Sequence, residues 1–312
     1  MGNYSFLDQI LNKQFLGNNQ LANYLYQRIL NKNFSKDSLS KKQHIFITGL
    51  ARSGSTAILN QLYESNQLSS FLYKHMPFIL APKLAHLASS LINDTKKKTE
   101  RLHNDGLFID NNSPECLDEI FWIKSTKNYY KCDLTEPQKI DIKVLRGYEN
   151  LITSYSKLQS DKRLIIKNNN NHIRLKCLAE YFGYCYFLII FRDPISQAYS
   201  LMRCHKRFCE LQEKDNYILD YMNLIGHREF GKGIKKFIYN NSSTKSEYSS
   251  HSINHWLKQW IECYGWILEN KLYKKENVHL ICYEKICSNK SYLKKIYSIL
   301  NLKFDNKKNL IL

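Results

Sequence analysis

The sequence predicts an α/β fold, a central parallel sheet covered by helices on both faces, and three features point to it. The first is the short apolar run His44-Ile45-Phe46-Ile47-Thr48, which ends in a Gly-rich turn. The second is the helical spacing of Ile58, Leu59, Leu62 and Tyr63 just after that turn. The third is recurrence, because further short apolar runs lie at 71–73, 164–166, 185–191 and 278–283. Between them lie helical patterns, the clearest being Ile253, Trp256, Leu257, Trp260, Ile261 and Tyr264. Continuous apolar runs fit strands buried on both faces, and their alternation with helices fits parallel crossovers.

No repeat and no second core pattern is visible, so residues 44–312 are read as one domain preceded by an arm over 1–43. In the arm Phe6, Ile10 and Leu11, then Leu21, Tyr24, Leu25, Arg28 and Ile29, fall at helical spacings, broken by Gly17-Asn18-Asn19. A polar stretch at 35–42 follows, and a second at 232–252 reads as an exposed loop.

Bulk chemistry narrows the function classes. Lys and Arg number 46 against 28 Asp and Glu, a formal charge of +18, which favours anionic ligands. Lys and Asn recur throughout, so part of that charge reads as compositional drift. Nine cysteines form no Cys-x-x-Cys pair, which argues against zinc-ligand spacing and an even disulfide framework. Asn3, Asp8, Gln9, Asn12 and Lys13 interrupt any signal-peptide core, and the longest apolar stretch, 184–191, is too short for a bilayer. The expectation is a cytoplasmic protein with no transmembrane segment.

Gly49-Leu50-Ala51-Arg52-Ser53-Gly54-Ser55-Thr56 keeps both glycines and the final Thr of the Walker A pattern, but Ser55 replaces its lysine. That lysine reaches the β- and γ-phosphates, so its loss argues against a P-loop kinase. Arg52 supplies a cation inside the loop instead. The amides of Ala51 to Thr56 can still cradle an anion at a helix N-terminus, although an unliganded turn of small residues would look similar. A second constellation adds weight: the run 187–191 ends in Arg192-Asp193-Pro194, with Ser200 eight residues beyond Arg192. Asp193 could be a metal-binding carboxylate, but Arg192 beside it would compete with the metal. Arg192 and Ser200 are therefore read as a phosphate grip at a strand's C-terminal edge.

The two motifs together resemble the 5′-phosphosulfate loop and the 3′-phosphate motif of PAPS-dependent sulfotransferases (PAPS is 3′-phosphoadenosine 5′-phosphosulfate). The segments 74–82, Asp105-Gly106, Ser113-Pro114-Glu115, 119–122, Lys167-Asn168 and 226–231 resemble a bacterial branch of that superfamily. The resemblance spans about residues 44–290. It implies a P-loop NTPase-like sulfotransferase fold of three layers, PAPS as donor, adenosine 3′,5′-bisphosphate as product, and no metal in the chemistry.

In that family a basic residue at the position of Arg52 serves the leaving group, and Lys167 at the end of a strand is the second candidate cation. His75 is ranked first as general base, since an unperturbed histidine suits proton removal at neutral pH, and Glu115 second. An acidic residue is usual in this branch at the equivalent of His75, and Asp105, Asp118 and Glu119 are rival acids. Tyr283 matches a family position near the donor; a buried tyrosine with a satisfied hydroxyl is its plainer reading. The family's basic Gly-containing segment near the C-terminus has no counterpart, as Lys307-Lys308 lacks glycines. The acceptor is expected to present a hydroxyl, on a carbohydrate or small metabolite, with mild preference for an anionic one. A nucleic-acid binder would need basic residues clustered with aromatics, whereas here lysines are dispersed.

Overall fold

The computed structural model describes residues 5–32, 34, 41–91, 98–125, 134–239 and 248–306. The arm holds helices α1 (Phe6–Leu16) and α2 (Gln20–Leu30), followed by strand β1 (Ile45–Thr48) and helix α3 (Ser55–Tyr63). Next come α4 (Pro82–Leu91), the antiparallel pair β2 (Thr99–Glu100) and β3 (Phe108–Ile109), and α5 (Glu119–Ser125). Strand β4 (Leu134–Thr135), α6 (Ile142–Leu158), β5 (Ile165–Lys167), α7 (Leu175–Tyr181) and β6 (Tyr186–Phe191) follow. Then run α8 (Pro194–Lys214), α9 (Asn216–Ile225) and β7 (Lys236–Phe237), which pairs with β4. The chain closes with α10 (Ile253–Glu269), β8 (Val278–Cys282), α11 (Tyr283–Ser288) and α12 (Lys290–Ile299).

The central sheet has the order β5-β1-β6-β8 with every pair parallel. Alternation along the strands splits the core between its faces. Ile45, Ile47, Ile165, Leu188 and Ile190 pack with Leu59 and Leu62 of α3 and Leu293 and Ile296 of α12. Phe46, Ile166, Phe187 and Ile189 pack on the other side with Tyr148, Leu151 and Phe182, and the Phe46 and Phe187 rings stack 4.8 Å apart. The register places Ile47 beside Lys167, Thr48 beside Ile189 and Phe191 beside Cys282, so all four strands end on one edge. The chain adds β5 on one side of β1 and β6 on the other, so the order of connection switches there, and crevices at such points are where open α/β sheets bind ligands.

The arm packs onto this body through named contacts. Tyr26 and Ile29 enter the larger core, and Asn150 of α6 donates to Ile29 O at 3.0 Å and Lys32 O at 2.8 Å, capping the end of α2. Asn12 of α1 donates to the Tyr217 hydroxyl of α9 at 2.9 Å.

One expected strand is absent: residues 71–73 form only a single bridge, Leu72 to Pro114, before a 3-10 turn over Tyr73–His75. The Leu72 amide donates to His75 Nδ1 at 3.0 Å, so a side chain takes the group a strand ladder would need. The expected polar stretch at 35–42, the middle of the loop at 232–252, and Lys307-Lys308 lie wholly or partly outside the described residues. Among the described residues no helix is long and apolar enough to cross a membrane.

Candidate active site

The loop between β1 and α3 is built by backbone conformations that its sequence can supply. Gly49 sits at φ +133°, where a Cβ would lie 2.3 Å from Ile190 O. Gly54 sits at φ +92°, and a Cβ there would meet the Tyr283 ring at 2.2 Å. Arg52 between them is also left-handed, at φ +66°. That conformation costs a non-glycine residue about 1–2 kcal/mol, so its surroundings hold it in place. Gly54 caps α3 without a side chain, leaving the first amides of that helix for whatever occupies the space in front of them.

Helix α8 fixes the loop from the side. Asp193 caps α8 by accepting from Ser196 N at 2.8 Å, and Pro194 takes the first helical position, where its missing N–H costs nothing. Gln197, one turn in, donates to Leu50 O at 3.2 Å and Ala51 O at 3.0 Å. Ser200 accepts from Arg52 Nε at 3.0 Å, joining the two sequence motifs directly. Trp260 of α10 donates to Arg192 O at 3.2 Å and Gln197 Oε1 at 3.1 Å, tying the strand end to the same helix.

These elements frame a cavity of about 220 Å³, lined by loop residues Ala51, Arg52, Gly54, Ser55 and Thr56 and by Lys167, Arg192 and Tyr283. Arg192 is partly exposed, lies 3.8 Å from Glu284, and stands 5.5 Å from the Tyr283 ring centroid. Tyr283 is therefore both the ring against Gly54 and a platform beside Arg192. Ser53 and Ser200 do not line the cavity. Ser53 is fully buried, and its hydroxyl has no hydrogen-bond partner among the described residues.

The cations are held by carboxylates. Arg52 Nη1 and Arg101 Nη2 each lie 2.5 Å from Asp105 Oδ2. Burial alone would push the Asp105 carboxyl up, but the two guanidiniums outweigh it and hold it well below the usual range. Lys167 Nζ lies 3.2 Å from Glu115 Oε1, with both side chains buried. Glu115 also accepts from Cys116 N at 2.7 Å and from the Tyr73 hydroxyl at 2.9 Å. Burial opposes its charge, yet Lys167, Arg101 and His227 keep it ionised far below the ordinary carboxylate range. Lys167 is in turn held above its normal value, because Glu115 outweighs the burial that would lower it.

His75 is not part of this assembly. It is buried, its Nδ1 accepts from Leu72 N, and its ring packs 5.0 Å from Tyr155. Burial, with Lys74 and His86 nearby, pushes it down to about 3, and it does not line the cavity. Asp118 and Glu119 also point into structure. Glu119 forms a fully buried bidentate pair with Arg174, 2.7 and 2.6 Å, and Asp118 accepts from Tyr148 at 2.7 Å. Asp105 lines the cavity as the clamp between two arginines.

Sequence reasoning gave no role to Arg101, Asn169, His227 or Glu229, all of which line the cavity. Arg101 sits beside a two-residue strand with no periodicity to mark it, and only its four-residue spacing from Asp105 hints at the pair. Asn169 accepts from Ser55 Oγ at 3.1 Å and donates to Glu229 Oε1 at 3.2 Å, linking the loop to the 226–231 segment. Glu229 Oε2 is buried with no hydrogen-bond partner among the described residues.

Comparison with known proteins gives a consistent picture. The model of the Sulfotransferase family matches residues 44–306. The fold is similar to sulfotransferase STF1 from Mycobacterium tuberculosis H37Rv, with a TM-score of 0.56 at 14% identity over 97% of this chain and 80% of that one. It is also similar to sulfotransferase STF9 from Mycobacterium avium, with a TM-score of 0.51 at 12% identity over 96% of this chain and 72% of that one. No curated protein matches the sequence.

Proposed function

The chain belongs to the sulfotransferase family, and on that premise we propose that it moves a sulfuryl group from PAPS to an acceptor hydroxyl by in-line transfer. The observation that carries the reading is the 3.0 Å bond from Arg52 to Ser200, which joins the loop motif to the Arg192–Ser200 motif, with Arg52 and Arg192 both in the wall of one cavity. A bis-phosphorylated nucleotide has an anionic group for each. The phosphosulfate suits the α3 amides, Arg52 and Lys167, and the 3′-phosphate suits Arg192, while Ser200, outside the cavity wall, holds Arg52 in place. The backbone turn at Ala51, Ser53, Gly54, Ser55 and Thr56 then forms the cradle, with Tyr283 beside it. The alternative of a P-loop kinase has no lysine at Ser55 to support it.

In the proposed step the acceptor oxygen forms a bond to sulfur while the bond from sulfur to the 5′-phosphate oxygen breaks. The electron pair leaves with the phosphate, where Arg52 and Lys167 offset the developing charge. The acceptor proton goes to a nearby base. His75 faces away from the cavity, so we assign this role to Glu115, which lies in the cavity wall. Its pairing with Lys167 makes it a weak base at rest. Donor oxygens that draw the Lys167 ammonium toward themselves would weaken that pairing and raise the basicity of Glu115.

Calorimetric titration with adenosine 3′,5′-bisphosphate, in the absence of metal, tests the donor assignment. Arg52→Ala should lower transfer of labelled sulfate from PAPS by about 10²–10³-fold, the usual cost of one charge-stabilising group, with the fold retained by circular dichroism. Absence of nucleotide binding, or unchanged turnover in the variant, would refute it.

A further inference from the structure

A second cavity, of about 520 Å³, abuts the first and shares Arg101, His103, Glu115, His227 and Phe230 with it. We infer that this cavity is the acceptor site, that it takes an alcohol or phenol with an uncharged apolar body, and that helix α1 forms one of its walls. The inference rests on the donor occupying the first cavity, because the shared residues then lie between donor and acceptor.

Chemistry of the walls selects the class. The surface is mostly apolar, with Leu11, Met76, Ile109, Leu117, Phe208 and Met222 among its lining residues. Two of the polar groups in the wall are already engaged. The Tyr73 hydroxyl donates to Glu115, and Asn12 donates to Tyr217. A sugar would bring several hydroxyls into a space with few uncommitted partners, and each unpaired one opposes binding. An anionic acceptor fares no better. Among the described lining residues Arg101 is the one Lys or Arg, and it is already paired with Asp105. Asp8 and Glu115 add negative charge. His103 is held well below its normal value by burial and by Arg101 and Arg52, so it is neutral. The bulk charge of +18 therefore does not describe this space. A cavity of this size, mostly apolar with a few polar groups in its wall, is what a small-molecule site requires.

The wall from α1 lies outside the span of the family match. Asp8, Leu11 and Asn12 all line the cavity, yet they precede residue 44, where the family match begins. The helix is pinned there by Asn12 on Tyr217 and by Lys13, 3.9 Å from Asp220. The proposed donor residues thus all fall within the span of the match, and acceptor choice is set in part by the arm. Transfer to such an acceptor keeps the balance already described. The acceptor O–H becomes an O–SO₃⁻ ester, its proton passes to Glu115, and adenosine 3′,5′-bisphosphate departs.

The test uses the full chain with 2-naphthol and octan-1-ol as apolar probes, glucose and glucuronate as polar ones, and Leu11→Trp and Met222→Trp to fill the cavity. The expected result is kcat/KM for the apolar probes at least tenfold above that for either sugar. Each Trp variant should raise KM for 2-naphthol tenfold or more with no change in nucleotide affinity. Protein that binds adenosine 3′,5′-bisphosphate but prefers a sugar, or variants with unaltered KM, would overturn the inference while leaving the donor reading intact. Should nucleotide binding itself fail, fluorescence titration of 2-naphthol decides separately. Saturable binding by the wild type that both Trp variants abolish supports the apolar site, and binding that is absent or unaffected by them overturns it.

Discussion

Replacing Gly54 by alanine sets two costs against each other in a way that can be separated. The residue sits at φ +92°, and forcing an L side chain into that region costs about 1–2 kcal/mol. The new methyl would also lie 2.2 Å from Tyr283 Cδ2 and 2.4 Å from Cε2. Ordinary carbon contacts begin near 3.5 Å, so the ring must retreat by more than about 1 Å. Such overpacking costs roughly 1–3 kcal/mol. Together these give about 2–5 kcal/mol, and at about 2 °C per kcal/mol for a chain of this length the melting temperature should fall by about 4–10 °C. The ring that moves is the one 5.5 Å from the Arg192 guanidinium, so nucleotide affinity should drop as well. A double-mutant cycle with Tyr283→Ala isolates the steric part. In the Tyr283→Ala background, Gly54→Ala should cost only the backbone share. Scanning calorimetry and titration with adenosine 3′,5′-bisphosphate read both effects. A single Gly54→Ala variant that melts with the wild type and binds nucleotide equally well would refute the reasoning, as would equal costs in both backgrounds.

Three further outcomes follow from the described contacts. His75→Ala should keep turnover within a few-fold of the wild type yet lower the melting temperature, since Leu72 N loses its acceptor; a loss of kcat with unchanged stability would return His75 to the mechanism. Lys167→Met leaves Glu115 buried without its partner and should destabilise by about 3–5 kcal/mol in urea titrations, with much of this recovered by adding Glu115→Gln; a Glu115→Gln change that gives no recovery would show the pair is not coupled. Asp118 is pushed up to about 6, chiefly by burial, with Glu119 adding to the effect. A folded value above the unfolded one gives stability that is full below about pH 4 and is lost as pH rises through 6. Wild-type stability should therefore fall relative to Asp118→Asn by about 1.4 kcal/mol between pH 5 and pH 8. Measuring the difference between the two proteins cancels the buried histidines, which titrate in the opposite sense, and a difference independent of pH would contradict the assignment.

The sheet was readable because β1, β5 and β6 are largely buried on both faces and so appear as unbroken apolar runs leading to Gly49, Lys167 and Arg192, whereas β8, part-exposed and interrupted by His279, leads to Tyr283. Lys167, Arg192 and Tyr283, at or just past the strand ends, line the cavity, and the sequence order alone placed them there. Side-chain direction is a different matter. His75 lies two residues beyond Tyr73, whose hydroxyl does reach the cavity carboxylate Glu115, but the 3-10 turn points the imidazole back at its own backbone. No periodicity reports a turn of that kind. Arg101 escaped notice for a related reason: it belongs to a short irregular hairpin, and its partners Asp105 and Thr56 are defined by three-dimensional approach. Trp260 shows helical spacing, which reports only the helix; its indole N–H also bonds the strand end that carries Arg192.

The Asp105 carboxylate, shared between Arg52 and Arg101, has a consequence for ligand discrimination. A tethered anion stands in for the ligand when none is bound, so both guanidiniums stay ordered and their charge is already countered. Free sulfate or phosphate must displace a competitor whose effective concentration is far above that of any ion in solution. A single-point anion gains too little from that exchange. A ligand that also reaches Arg192 has a second foothold, and its binding is unimolecular once the first is made. If the proposed donor site holds, Asp105 would work as a threshold, turning the cleft away from the common small anions and toward molecules that carry two charged groups at the right separation.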